Sequence, residues 1–398
     1  MRRPLEGIRV LDFCWIGAGS YTTKILADMG ADVIKVESET HLDSLRKGPP
    51  FKDGKPGVNR SGYFADRNSS KRSLTLNMKH PGAREVALDL VRSCDLVTNN
   101  FTPGVMERFG LGYDDIRVVK PDIIFVSMSM QGQTGPESAY LGYGLTIGAV
   151  TGLQYLSGLP DREPSGTGTN YPDHIPNPCH TAFAIIAALR HRRRTGEGQV
   201  IDVAQTEPTV AILGAEMCAA WSGGPEQVRR GNRSQTMAPH GVFPVKGDDR
   251  WIAIAAPDDA AWAGIERVLG DFGPGLRTPA ERLAAQDGLE AEMARRTRDW
   301  GGEALMTALQ TEGAAAGIVQ TAADIVDGDP QLKHRGHWQV MAQPGVGEML
   351  YNAPPWRFSK TPYRLRGPAP LLGEHTRVIV EEELGRGAAC VTDPELFL

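Results

Sequence analysis

Cysteines are scarce in this sequence, and their positions exclude a disulfide framework. Five cysteines are scattered over 398 residues, an odd number without any C-x-x-C pair. Disulfide-rich scaffolds and structural zinc sites need paired or closely spaced cysteines. We therefore expect most of them to be buried apolar side chains. They are Cys14, Cys94, Cys179, Cys218 and Cys390.

Long apolar runs are also missing. No run reaches the roughly 18 residues that a membrane-spanning helix needs. The opening residues, MRRPLEGIRVLDF, pass into a strand-like pattern without the apolar block of a signal peptide. A formal net charge of -5 gives no long-range attraction to nucleic acid. The sequence thus predicts a cytoplasmic protein without a membrane or nucleic-acid partner.

Several familiar catalytic and metal-binding motifs are absent too. The sequence contains no G-x-S-x-G, no Walker-type loop and no H-E-x-x-H. His174, His180 and His240 do not have the close helical spacing of a metal-binding pair. We expect no metal and no bound cofactor.

What the sequence does contain is an alternation of strand-like and helix-like segments over its first 150 or so residues. Strands are predicted from Ile8, over 32–37, and in segments ending at Phe101 and Ser129. This order favours a parallel α/β sheet covered by helices. A long helix is predicted from Pro178, with Asn177 as its N-cap and Gly196 just beyond its end.

The length favours two domains rather than one core. The first part of a large domain is predicted over 1–205, a linker over 206–238 and a small α+β domain over 239–325. The segment 326–398 is expected to return to the large domain.

A glycine-containing loop, Gly17 to Thr22, follows the first predicted strand. With Glu37 ending the second strand, it approaches a dinucleotide-binding fingerprint. However, Thr22 stands where the third glycine belongs. The loop therefore fits a tight strand-to-helix turn whose backbone faces a phosphate-bearing ligand better than it fits an NAD or FAD site.

Asp173 is the candidate nucleophile, because it lies a few residues before the long predicted helix. Unpaired N–H groups and the helix dipole can hold such a carboxylate ionised. An ionised carboxylate can attack an activated acyl group to give a mixed anhydride. On the local sequence alone, a turn-capping role is the favoured interpretation.

Four basic residues form a further set that would suit either an anionic ligand or a solvated surface. They are Lys71, Arg72, Lys79 and Arg108.

Taken in order, several segments resemble the class III (CaiB/BaiF-type) CoA-transferase family, whose members include formyl-CoA transferase, carnitine CoA-transferase and α-methylacyl-CoA racemase. The resembling segments are PLEGIRVLDF, LADMGADVIKVE, KRSLTLNMKHPGA, NNFTPGVMERFGLGYDDI, QGQTGP, AALRHRRRTGEGQVIDVAQTE and APLLGEHT. They run through nearly the whole chain at the family's spacing.

The resemblance implies that Asp173 matches the family's catalytic aspartate and that coenzyme A is bound as an acyl-CoA substrate. It implies CoA contacts at Ala18, Leu76, Lys79, Asn100, Phe101, Arg108 and Tyr143. It also implies a Rossmann-like large domain, a smaller α+β domain and an interlocked homodimer. Trp15 and Tyr63 are candidates for the acyl pocket, with core packing as the alternative for each.

The sequence departs from the family pattern at two places. Gly17 and Ser38 replace a glutamine and an arginine of formyl-CoA transferase-like members, which disfavours formyl or oxalate specificity. Tyr143 and Gly144 stand where the racemase branch has a His-Asp pair, and a racemase needs a second proton-transfer group.

The sequence therefore predicts a CoA-transferase that exchanges CoA between an acyl-CoA donor and a free carboxylic acid, with succinyl-CoA as the expected donor. The alternatives are an acyl-CoA racemase or epimerase on the same scaffold, and a non-catalytic CoA- or nucleotide-binding protein.

Overall fold

The structure, a computed structural model, describes residues 3–387 and 393–397. The chain divides into two compact units. The larger comprises Met1–Gln154, Gly166–Glu226 and Leu332–Leu398, and the smaller comprises Tyr155–Ser165 and Gln227–Gln331. The domain boundaries expected from the sequence stay a prediction.

A six-stranded parallel sheet forms the centre of the larger unit. Its strands are β1 (Arg9–Asp12), β2 (Asp32–Glu37), β3 (Arg72–Thr75), β4 (Leu96–Asn99), β5 (Ile124–Ser127) and β6 (Val200–Asp202). The order β3-β2-β1-β4-β5-β6 is that of a doubly wound α/β sheet. The predicted α/β class is confirmed.

Helices connect these strands and cover the sheet. They are α1 (Ile16–Asp28), α2 (Gly62–Arg67), α3 (Ala83–Arg92), α4 (Val105–Arg108), α5 (Tyr113–Val119), α6 (Gly144–Val150), α7 (Tyr171–His174), α8 (Pro176–Thr195), α9 (Thr206–Ala211) and α10 (Gly214–Trp221). The segment predicted as a linker thus contains α9 and α10. Short 3-10 turns occupy Ser44–Lys47 and Lys52–Gly54.

The start of the long helix differs from the prediction. Helix α8 begins at Pro176, so Asn177 lies inside its first turn, and the N-cap position is Ile175. Proline is favoured in a first helical turn because its missing N–H would have no partner there. The end is confirmed, since Gly196 follows the helix with a φ of 80°, a left-handed conformation suited to glycine.

Charged side chains inside the larger unit are paired. Lys71 is buried, and its ammonium bonds the Asp12 carboxylate at 3.3 Å and Thr23 Oγ1 at 2.7 Å. Burial lowers the pKa of Lys71 to about 8. Arg46 makes a buried ion pair with Glu37 at 2.8 Å. Such pairs satisfy charges that would be costly to leave alone in the core.

The end of the chain returns to β3. Ser73 O accepts from His375 N at 3.0 Å, and Thr75 N–H donates to Thr376 Oγ1 at 3.0 Å. Asn77 N–H then donates to Leu396 O at 2.8 Å. The residues after β3 are therefore fixed by a segment about three hundred positions later in the chain.

The smaller unit has its own antiparallel sheet and apolar core. Its strands are β7 (His240–Pro244), β8 (Trp251–Ala255) and β9 (Ala315–Ile318), and its helices are α11 (Asp259–Leu269), α12 (Pro279–Ala284), α13 (Gln286–Thr297) and α14 (Gly302–Thr311). The core is centred on side chains such as Trp262, Ile265 and Leu305.

After β9 the chain forms a π-helical turn (Asp324–Gly328), α15 (Pro330–Arg335) and a hairpin of β10 (Trp338–Gln343) and β11 (Gly347–Asn352). A second π-helical turn covers Val378–Glu383. Over the described ranges, every helix is too short or too polar to cross a membrane.

Two of the four described cysteines, Cys14 and Cys94, are buried as expected. Cys179 and Cys218 are exposed, and Cys390 lies outside the described residues. Burial is therefore found for two of the four described cysteines, since α8 and α10 each place one on an outer face.

Candidate active site

A cavity of about 220 Å³ opens at the carboxyl edge of the parallel sheet, beside the first turn of α1. In sheets of this strand order, ligands bind beyond the carboxyl ends of the strands. The loops after β1, β4, β5 and β6 all contribute to its wall. The lining residues are Trp15, Ile16, Gly17, Ala18, Asn100, Phe101, Thr102, Val105, Ser129, Met130, Tyr140, Leu141, Gly142, Tyr143, Asp173 and Gln205.

Asp173 is the one charged side chain among the described residues that line this cavity. It lies in α7 and is only 4% exposed. Its Oδ2 accepts a hydrogen bond from Gly144 N–H, at the start of α6, at 3.0 Å. The helix whose N-terminus contacts the carboxylate is therefore α6 rather than the long helix that follows Asp173 in the sequence.

Two glycines form the walls on either side of the Asp173 side chain. A Cβ atom on Gly17 would lie 2.8 Å from Asp173 Cβ, and one on Gly144 would lie 2.9 Å from Asp173 Oδ2. Both distances are shorter than atoms of this kind tolerate. In this chain the absence of side chains at Gly17 and Gly144 therefore leaves room for the Asp173 carboxylate at its present position.

The protonation of Asp173 differs from the expectation of a strongly ionised carboxylate. Burial raises its pKa to about 6, and the hydrogen bond from Gly144 N–H opposes that rise. Desolvation disfavours a charged carboxylate, and one backbone donor does not compensate for it. Asp173 is still mainly ionised at neutral pH.

Replacing Asp173 with asparagine is expected to stabilise the folded chain at neutral and higher pH. The folded-state pKa of about 6 lies above the ~3.9 of an unfolded aspartate, so the free energy of unfolding falls as pH rises through this window. The neutral amide avoids most of that cost, a gain of about 1–2 kcal/mol. Urea denaturation at about pH 8 and about pH 4.5 measures it, and an equal gain at both would contradict the assigned pKa.

Trp15, Asn100 and Phe101 form one wall of the cavity. Trp15 N–H donates to Asn100 Oδ1 at 2.9 Å, and Asn100 Nδ2 donates to Trp15 O at 2.7 Å. The Trp15 and Phe101 rings meet edge to face with centroids 5.3 Å apart. This reciprocal bonding fixes two loops, those after β1 and β4, against each other.

A second cavity of about 150 Å³ lies on the other side of the same aromatic wall. Trp15 and Phe101 line both cavities, and Leu76 and Lys79 line the second one. Ser38, where formyl-CoA transferase-like relatives have arginine, also lines it. The two cavities thus share Trp15 and Phe101, the first reaching Asp173 and the second the segment after β3.

The basic candidates separate into two groups. Lys79 and Arg108 are exposed, and neither side chain has an ion-pair partner within 3–387 or 393–397. Lys71, in contrast, is buried against Asp12, and Arg72 forms ion pairs with Asp32 and Glu383. Both interpretations of Lys71, a ligand contact and a solvated surface residue, are wrong, because its ammonium group is buried in the core and paired with Asp12.

The remaining candidates lie as follows. Ala18 is buried in the first turn of α1 and lines the cavity, and Tyr143 lines it from a mostly exposed position. Tyr63 is absent from the lining residues, and its hydroxyl lies 3.3 Å from Nε2 of His174, the residue after Asp173. Its role in an acyl pocket stays a prediction.

Several lining residues were not expected from the sequence. Ile16 has a φ of 61°, a left-handed conformation that β-branched residues rarely adopt, and its N–H donates to Asp43 Oδ1 at 3.0 Å. Ser129 and Gln205 follow β5 and β6. Position after a strand was the signal for Ser129 and Gln205, whereas no sequence signal marks the backbone of Ile16.

Among the residues that the structure describes, no three His, Cys, Asp or Glu side chains are grouped to hold a metal ion.

Comparisons with known proteins match nearly the whole chain. The sequence profile of CoA-transferase family III matches residues 5–376. Succinate--glutarate CoA-transferase of Agrobacterium fabrum is 32% identical over 389 residues, covering 95% of each chain. Succinyl-CoA:mesaconate CoA-transferase of Haloarcula marismortui is 34% identical over 385 residues, covering 95% of this chain and 96% of the other. The crystal structure of a CAIB/BAIF family protein from Brucella suis superposes with a TM-score of 0.87 at 32% identity, covering 96% of this chain and 100% of that one.

Proposed function

The chain belongs to CoA-transferase family III, and from this we propose that it exchanges CoA between an acyl-CoA and a free carboxylic acid through covalent intermediates on Asp173. The observation that supports the proposal best is the placement of Asp173. It is a buried carboxylate in a cavity whose other lining residues carry no charge. A carboxylate in such surroundings is poorly solvated. Poor solvation raises the free energy of its ionised form and so lowers the barrier to nucleophilic attack.

In the first step, an Asp173 oxygen attacks the carbonyl carbon of the donor thioester. The C–S bond breaks and its electron pair leaves with CoA as the thiolate. The product is a mixed anhydride between Asp173 and the donor acyl group. The thiolate then attacks the Asp173 carbonyl carbon, which releases the donor as a free carboxylate and leaves CoA on Asp173 as a thioester.

The second half repeats these steps with the acceptor. The acceptor carboxylate attacks the enzyme thioester, which gives a second anhydride and CoA thiolate. The thiolate attacks the acceptor carbonyl carbon, forming the new acyl-CoA and restoring the Asp173 carboxylate. No proton is gained or lost overall, so a single carboxylate without a partner base suffices.

CoA is proposed to extend from the first cavity, past Trp15 and Phe101, to the second. Ala18, Asn100, Phe101 and Tyr143 would contact the part of CoA near Asp173, and Leu76 the part beyond the aromatic wall. Lys79 and Arg108 suit the phosphates, because exposed cations without ion-pair partners can bind anions without breaking an existing contact. CoA is a substrate in this scheme, and the mechanism calls for no cofactor.

The pH dependence of the reaction follows from the raised pKa of Asp173. The attacking form is ionised, so kcat/KM should be constant above a pKa of about 6 and fall about tenfold per pH unit below it. The measurement is kcat/KM against pH, with the dissociation constant of CoA followed over the same range as a control for binding. A limb centred near pH 4, the value of an ordinary aspartate, would contradict the assignment.

Trapping the covalent species tests the proposed function directly. The protein is mixed with a panel of acyl-CoAs, and hydroxylamine converts any anhydride or thioester to a hydroxamate, which peptide mass spectrometry then locates. A mass change at Asp173 is expected. Succinyl-CoA is the first donor to try, because it is the donor printed in the names of several relatives. Modification at another residue would contradict the assigned nucleophile.

The two alternative functions, a racemase and a non-catalytic binding protein, predict different experimental results. Hydrogen–deuterium exchange at the acyl α-carbon without an acceptor acid would indicate a racemase. The cavity offers little for that chemistry, since of the described residues lining it only Asp173 is a ready proton-transfer group besides the two tyrosines. Tight CoA binding without turnover of any acid would indicate a binding protein.

A homodimer is also proposed. Helices α8 and α10 expose large apolar side chains, with Phe183 76% and Trp221 92% exposed, and Ile186 and Met217 partly so. Apolar side chains on outer helix faces are typical of protein–protein interfaces. Interlocking of the two chains and a cytoplasmic location stay predictions.

A further inference from the structure

Ser129 has a buried hydroxyl that the fold leaves without a partner. The residue follows β5 at the carboxyl edge of the sheet and is 3% exposed. In the part of the chain that the structure describes, its Oγ has no hydrogen-bond partner. It lines the same cavity as Asp173. Buried hydroxyl groups are usually paired, and an unpaired one in a cavity calls for an explanation.

The side chain of Gln205, whose backbone contacts Ser129, is already hydrogen-bonded. The Gln205 side chain donates to Met128 O at 2.7 Å and accepts from Asn177 Nδ2 at 3.3 Å. Gln205 N–H donates to the backbone oxygen of Ser129 at 3.0 Å, which fixes this loop without using the hydroxyl. The Ser129 hydroxyl is therefore not engaged by any described residue, and it can reach a molecule in the cavity by rotation about its χ1 angle.

The cavity restricts what that molecule presents to Ser129. Apart from Asp173, the lining side chains are apolar or neutral, and none of these described residues is a cation. A hydroxyl is a neutral hydrogen-bond donor, suited to a carbonyl, hydroxyl or carboxyl oxygen. Asp173 is where the acyl carbon is proposed to react. An oxygen of the acyl group is therefore the natural acceptor for the Ser129 hydroxyl.

We propose that Ser129 contacts the substrate, and that its hydroxyl donates a hydrogen bond to an oxygen of the acyl group bound beside Asp173. The inference rests on the proposed CoA transfer and adds a specificity-determining residue to it. The oxygen belongs either to the reacting carbonyl, which every acyl-CoA has, or to a polar group farther along the acyl chain. The two sources predict different patterns across substrates.

The test is Ser129→Ala, with Ser127→Ala as the matched control. Ser127 lies two residues earlier, at the end of β5, is equally buried, and its Oγ already accepts from Asn99 Nδ2 at 2.9 Å. The measurements are kcat/KM for acetyl-CoA and succinyl-CoA with several acceptor acids, the dissociation constant of CoA, and the melting temperature of each variant.

Ser129→Ala is expected to lower kcat/KM about tenfold or more, with CoA affinity and melting temperature unchanged. A loss with every acyl-CoA assigns the bond to the reacting carbonyl, and then about 100-fold is expected because the oxygen gains charge in the transition state. A loss confined to succinyl-CoA assigns it to the remote polar group. Ser127→Ala should lower the melting temperature and leave the kinetics unchanged.

Unchanged kcat/KM in Ser129→Ala would overturn the inference. It would also be overturned if Ser129→Ala had a lower melting temperature and Ser127→Ala lost as much kcat/KM as Ser129→Ala. The wild-type protein separates this failure from that of the proposed function. If the wild type transfers CoA but Ser129→Ala matches it, only the Ser129 assignment fails. If the wild type transfers none across the panel, the proposed function itself fails.

Discussion

Asp173→Ala is expected to reduce CoA exchange at least ~10³-fold while leaving the dissociation constant of CoA within about twofold. Each of the four proposed bond-forming steps uses an Asp173 oxygen or carbonyl, so no step can proceed without it. CoA contacts are proposed in both cavities, and Asp173→Ala removes none of the residues proposed to make them. Exchange is measured as acceptor-CoA formed, and CoA affinity by calorimetry.

The control for Asp173→Ala is Asp114→Ala, which removes the same charge from an exposed position on α5. It should leave exchange within about twofold, because exposed ion pairs contribute little. Retained exchange in Asp173→Ala would contradict the covalent scheme. Loss of both exchange and CoA binding would point instead to a structural role, which denaturation of the same variant would reveal.

Gly17→Ala is expected to lower kcat about 100-fold, the second largest effect, because a displacement of about 1 Å in a reacting group costs that much. The new Cβ would lie 2.8 Å from Asp173 Cβ and 3.2 Å from Oδ2, so the carboxylate must move. Helix propensity does not explain such a loss, since alanine is the better helix former. Single-turnover rates with saturating acyl-CoA measure the chemical step.

Gly288→Ala is the matched control for Gly17→Ala. Gly288 also lies in a helix, α13, but a Cβ there would meet no atom within 4 Å. The control should keep full activity and gain stability, since alanine restricts the unfolded chain more than glycine does. If Gly17→Ala keeps the wild-type rate, then the close packing of α1 against Asp173 does not govern the position of the nucleophile.

The sequence predicted the sheet better than it predicted the surroundings of Asp173. Strands β1, β2, β4 and β5 each contain two or more apolar residues that the helices bury, because both faces of a parallel sheet are covered. Strand β3, RSLT, was missed, since its arginine and serine resemble surface residues until Asp32 and Glu383 are seen to pair with Arg72. The hairpin of β10 and β11 was not predicted within the returning segment 326–398.

The candidate site shows the same limit. Ala18, Asn100 and Phe101 were named from the family resemblance, and they line the cavity at the carboxyl edge together with Trp15. The raised pKa of Asp173 was not predicted, because its main cause is burial by segments distant in sequence. Local sequence reports what a residue can do, whereas burial and pairing depend on contacts that only the folded chain brings together.

The closing of the chain onto β3 has a consequence for synthesis on the ribosome. About 300 residues separate Thr75 from Thr376, which at 5–20 residues per second amounts to roughly 15–60 seconds of translation. Asn77 lines the second cavity beside Leu76 and Lys79, and its N–H can donate to Leu396 O only after Leu396 has been synthesised. For most of its time on the ribosome, a nascent chain would therefore lack the contacts that fix the wall of the second cavity. Chaperone binding to stalled chains should cease only when the last segment has emerged.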